Sequence, residues 1–98
     1  MGKLINFNTW PKLNILISLS YLKDAEMTIS EFEREIGSTQ GNPETREVFK
    51  ALKEKKIAYP TIKKYSFQLY KLDIKLLCKL IEAQKFIKRI NKYLDYMH

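Results

Sequence analysis

The chain has almost none of the residues that cross-link or ligate. Its 98 residues include one cysteine, Cys78, so no intrachain disulfide forms. Cys78 and His98 are its only thiol and imidazole, two ligands where a structural zinc site takes four. No apolar run approaches the ~18 residues of a membrane span. Residues 1–22 lack a signal peptide's order of basic start, apolar core and small-residue cleavage site, because Asn8, Pro11, Lys12 and Asn14 interrupt the apolar residues. The expectation is a soluble, cytoplasmic protein without metal or other cofactor. With 3 Gly and 3 Pro the chain has no low-complexity stretch, and it carries no internal repeat. No Gly-rich phosphate loop, Cys/His pair or isolated acid pair is present, and the sole histidine is terminal. An enzyme is therefore not expected.

What remains is a 45% hydrophobic, 30% charged chain of one-domain size, 1–98, with a small core that dimerisation would help. The net charge of +7 is unevenly spread: +3 over residues 1–23, −5 over 24–45, +6 over 46–71 and +3 over 72–98. An acidic segment is followed by a basic one, a polarity suited to facing a polyanion.

Local signals divide the chain into elements. Residues 1–8 read as an extended arm from which Leu4, Ile5 and Phe7 pack back. Pro11 suits a first helical turn, with Thr9 or Trp10 near the cap and Trp10 anchoring one end. That helix is expected to reach about Lys23, burying Leu13, Leu16, Ile17, Leu19 and Ser20. Residues 27–29 read as a one-bridge strand. Ser30 is expected to cap a second helix, with Glu33 completing a capping box and Phe32 and Ile36 facing inward. Gly37 ends it. Asn42 followed by Pro43 starts a third helix running to about Lys56, with Val48, Phe49, Ala51 and Leu52 inward and Thr45, Arg46, Lys50 and Lys53 outward.

Two β-rich runs follow. Ile57, Ala58 and Tyr59 read as a strand ending at Pro60, and 61–64 as a hairpin tip. The returning strand is 65–72, with Tyr65 and Phe67 inward by alternation and Tyr70 turned towards a partner. Asp73 caps a last helix. Its apolar residues Leu76, Leu80, Ala83, Ile87, Ile90, Leu94 and Met97 alternate at spacings of four and three, a seam for a second copy. Cys78 reads as a buried or half-buried thiol; a Cys78–Cys78 bridge across a dimer is the alternative.

The run Thr28-Ile29-Ser30-Glu31-Phe32-Glu33-Arg34-Glu35-Ile36-Gly37 resembles the second helix and terminating glycine of winged helix-turn-helix regulators. Residues 48–57 resemble the end of a recognition helix entering a wing, and 65–70 the returning wing strand. The resemblance covers residues 10–72, and the last helix is similar to the dimerisation helix of MarR- and PadR-like repressors, with the size and topology of small archaeal and viral regulators. The chain departs from that pattern in a longer turn before Pro43 and in a wing tip without Gly or Arg.

The resemblance implies a mainly α fold with a small β-hairpin (α+β), namely a winged helix core over 9–72 and a dimerisation helix over 73–98. It implies binding of double-stranded DNA by a homodimer that regulates transcription. Thr45, Arg46, Lys50 and Lys53 would then face the major groove, and Lys63 and Lys64, with Lys55 and Lys56 beside them, the phosphates. Leu76, Leu80, Ala83, Ile87, Ile90 and Leu94 would form the dimer interface. The competing reading is a winged-helix protein-interaction module that does not bind DNA, using the acidic residues 31–35 or the last helix. A weaker one is single-strand or RNA binding through Tyr59 and Tyr70.

Overall fold

The computed structural model describes residues 12–96. Among these residues the fold is α+β, with four helices and a two-stranded antiparallel hairpin: α1 (Leu13–Ser20), α2 (Ile29–Glu35), α3 (Pro43–Glu54), β1 (Ala58–Lys64), β2 (Phe67–Leu72) and α4 (Ile74–Tyr96). The expectations for the 1–8 arm, Thr9, Trp10, Pro11, Met97 and His98 lie outside the described residues.

α1 is shorter than its apolar pattern suggests. It starts at Leu13, with Lys12 at the N-cap, and ends at Ser20. The chain leaves it through a turn in which Lys23 takes a left-handed φ of 48°. Leu16 and Leu19 are fully buried, and Leu13 and Ile17 pack beside them.

α2 begins two residues earlier than expected, because Thr28 and not Ser30 caps it. The Thr28 hydroxyl accepts from the Glu31 N–H at 3.2 Å, and the Glu31 carboxylate accepts from the Thr28 N–H at 3.1 Å. This capping box replaces the one read for Ser30 and Glu33; both pairs have the required spacing, and the earlier pair leaves Glu33 on the inward stripe beside Phe32. At the other end Gly37 has φ +77°. Its N–H reaches Arg34 O, and that of Ser38 reaches Glu33 O at 2.8 Å, the paired bonds of a Schellman ending.

α3 starts as its sequence indicates. Asn42 Oδ1 accepts from the N–H groups of Glu44 and Thr45, and Pro43 follows it. The helix closes with a second Schellman pattern, Lys56 N–H to Lys53 O and Ile57 N–H to Leu52 O. Here Lys56, at φ 60°, holds the position that glycine usually takes.

The hairpin departs furthest from expectation. β1 does not stop at Pro60 but runs through it to Lys64. Pro60 is tolerated because it lies opposite Tyr70, whose N–H and carbonyl are both directed away, to Met27 at 2.8 and 3.1 Å. The expected single bridge at Met27 is present and extends the sheet by one residue. A register shift between Pro60 and Lys63 places one extra residue on β1. Gln68 bridges the shift, donating to the carbonyls of Ile62 and Leu69. The tip is Tyr65-Ser66, not 61–64. The inward face is likewise the opposite one: Leu72 is buried and Tyr70 packs against the core, whereas Tyr65 and Phe67 are exposed. Both faces of 65–72 carry apolar residues, so alternation alone leaves the choice open. It is made at the base of the hairpin, where Ile57, Ala58 and Leu72 meet the helices.

The core joins Leu16 and Leu19 of α1, Phe32 of α2, Val48, Phe49 and Leu52 of α3, the hairpin base, and Leu77 and Ile81 of α4. The Phe32 and Phe49 rings lie 5.3 Å apart and tilted by 43°, a favourable aromatic contact. Asp73 caps α4 through a 3.1 Å bond from the Leu76 N–H. Only the first half of α4 reaches the core: Leu77, Ile81 and Gln84 are buried, and between Gln84 and Asp95 no further residue is. Cys78 is exposed, contrary to its expected burial, because it sits one position beyond the inward Leu77. Among the described residues no helix is long and apolar enough to cross a membrane.

Candidate nucleic-acid interface

The residues between α2 and α3 are held by one buried carboxylate. Glu33 is 0% exposed. Its Oε2 accepts from the Gly41 N–H at 2.9 Å and from Arg46 Nε at 3.3 Å, and its Oε1 accepts from Arg46 Nη2 at 2.9 Å. The same Nη2 also donates to Ser30 Oγ at 3.3 Å. A two-pronged guanidinium–carboxylate contact is directional as well as strong. Here it ties the middle of α2 to the first turn of α3 and, through Gly41, to the connecting turn.

This corrects the outward placement of Thr45 and gives Arg46, which is exposed as expected, an internal partner. The Arg46 guanidinium is turned onto Glu33 and Ser30, with 42% of the side chain still accessible. Thr45 is buried, and its hydroxyl lies 3.0 Å from that of Ser38. Both lie in the first turn of α3, where Ser38 and Glu33 engage them. The signal for Glu33 was an acid in the stripe of Ile29, Phe32 and Ile36, once the capping role passes to Glu31.

Lys50 and Lys53 are exposed as expected, three residues apart and so on one face of α3. The Lys53 ammonium lies 5.6 Å above the Tyr70 ring, within cation–π range. Tyr70 is thereby corrected from a partner-facing residue to a half-buried one that ties α3 to β2. Lys55, Lys56 and Lys63 are exposed, and among the described residues neither they nor Lys50 form an ion pair. Lys64 is also exposed, but its charge lies near Glu31. The Glu31 carboxyl is held below its ordinary pKa chiefly by the Thr28 N–H, then by the Thr28 hydroxyl, Arg34 and Lys64.

The cationic surface is therefore displaced from where the linear charge pattern puts it. At the start of α3, Arg46 is neutralised by Glu33 and Glu44 lies 3.9 Å from Lys12. The outward positive charge begins at Lys50 and continues through the end of α3 into the hairpin.

The seam residues of α4 are mostly accessible: Leu76, Ala83, Ile90 and Leu94 are exposed, and Ile87 is half-buried. Leu80 is the exception, since it already packs partly against the chain's own core. Phe86 and Tyr93 add exposed aromatic surface to the second half of the helix. Among the described residues no group of three or more His, Cys, Asp or Glu side chains is placed to hold a metal ion.

Comparison with protein-family models, with curated proteins and with solved structures gives no match.

Proposed function

We propose that the chain is a winged-helix protein that binds double-stranded DNA as a homodimer and regulates transcription, without catalysing a reaction. The observation that carries this reading is the outward lysine series Lys50, Lys53, Lys55, Lys56 and Lys63, set on the end of a helix–turn–helix and the hairpin that follows it. In this reading the exposed face of α3 around Lys50 enters the major groove, and the hairpin lysines meet phosphates. Arg46 sets the angle of α3 instead of reading a base. The exposed apolar face of α4 pairs two copies, so that two α3 helices address neighbouring grooves.

The test is fluorescence anisotropy of a labelled random-sequence duplex at two salt concentrations, with sedimentation of the same protein. Four phosphate contacts give a slope of log K on log salt of about −3.6. Salt-sensitive binding by a dimer supports the reading. No binding at low salt refutes it and turns attention to a protein-interaction module. One observation favours that second reading: the charge of Arg46 is spent internally, while Glu31, Glu35 and Glu47 remain exposed on α2 and α3.

A further inference from the structure

The hairpin tip carries apolar surface that the folded chain does not use. Lys64 pairs with Phe67, so Tyr65 and Ser66 form a two-residue turn, and both have positive φ, 50° and 69°. Turns of this kind ask for Asn, Asp or Gly, because other L side chains enter the left-handed region at a cost. Tyr65 pays that cost without burying its ring, which is 86% exposed. Phe67 beside it is 65% exposed, and Ile62 on the opposite strand 55%. Lys63 and Lys64 immediately precede the turn, and Lys55 and Lys56 lie at the hairpin's root.

A flat ring at the apex of a turn, with ammonium groups just behind it, is complementary to a base face bounded by phosphates. Stacking takes up the ring, and the phosphates take up the charge. Apolar side chains that enter a base step also unstack it and bend the duplex. We infer that the hairpin tip is a stacking wedge: Tyr65, supported by Phe67 and Ile62, enters a base step. The chain therefore selects DNA containing an unstacked or easily opened step. This rests on the DNA-binding reading and adds to it the kind of DNA preferred.

The experiment compares binding of the full chain to two labelled duplexes of one sequence, one fully paired and one with a two-nucleotide bulge. The wild-type chain is expected to bind the bulged duplex roughly five- to tenfold more tightly, the lower end of what one stacked base supplies. Tyr65→Asn removes the ring and supplies a residue that tolerates the left-handed turn. It should bring the ratio to about one, with an unchanged or raised melting temperature and paired-duplex binding retained. Tyr65→Phe should keep the ratio. Equal binding of both duplexes by the wild-type chain, or a preference that survives Tyr65→Asn, overturns the wedge and leaves the DNA-binding reading standing. Failure to bind either duplex at low salt overturns both.

Discussion

The α2–turn–α3 region and the hairpin treat charge in opposite ways. In the first, Arg46 is spent on Glu33, and the carboxylate is buried with all its contacts internal to the protein. In the second, Lys63 and Lys64 stand at the surface with Tyr65 and Phe67 exposed just beyond them. The two regions hold neighbouring parts of one basic stretch of sequence. A charge count treats their residues alike, whereas packing makes one group structural and leaves the other accessible to a partner.

The sharpest way to break this contrast is to remove the internal cation. Arg46→Ala leaves the Glu33 carboxylate with only the Gly41 N–H as a partner, and should lower stability by about 1.5 kcal/mol, read from urea unfolding, less than for a fully buried pair because Arg46 is partly accessible. If Arg46 acted only at a partner surface, stability would stay within about 0.5 kcal/mol of wild type. The matching change in the hairpin, Lys63→Ala, should leave stability within that same ~0.5 kcal/mol. It should weaken binding to all duplexes alike and make the salt slope shallower by about two, as loss of one phosphate contact from each copy of the dimer requires.

The smallest effect concerns Glu31, which belongs to the helix frame but is exposed and lies near Lys64. Its folded pKa is depressed, so its ionised form contributes stability above the unfolded value of about 4.3, and that contribution is lost as pH falls through the lower folded value. Glu31→Gln should therefore be slightly less stable than wild type at neutral pH and lose less on acidification, the two proteins converging below about pH 4.3 as the wild-type carboxyl takes up its proton. An acid limb of unchanged shape would show that the Thr28 capping box does not hold the carboxylate in solution.

Much of the frame was legible because it is local. The Asn42-Pro43 start of α3, the Gly37 ending of α2 and the Asp73 cap all depend on residues close in sequence, whose backbone needs are met by those same residues. The α2 cap was misplaced because two Ser/Thr-x-x-Glu frames overlap, and local spacing does not choose between them. The end of α3 shows the converse: Lys56 takes a left-handed cap with no glycine to announce it.

The candidate site was legible in composition and not in placement. The lysines of α3 and the hairpin are outward, as their pattern indicated. Thr45 is buried against Ser38, and Arg46, though exposed, is engaged by Glu33; both contacts are made by residues on or just after another helix. The facing of β2 was inverted for the same kind of reason. Alternation fixes which residues share a face, but both faces here carry apolar side chains, and the one that turns inward is chosen by Leu72 where the hairpin joins the core. Local sequence thus sets the order of the elements, most of their ends and the overall sign of the surface, because capping, turn geometry and ionisation act over a few residues. Which charges are neutralised, which strand face is buried and where aromatic surface is left exposed follow from long-range packing, because burial belongs to a side chain and its distant neighbours together.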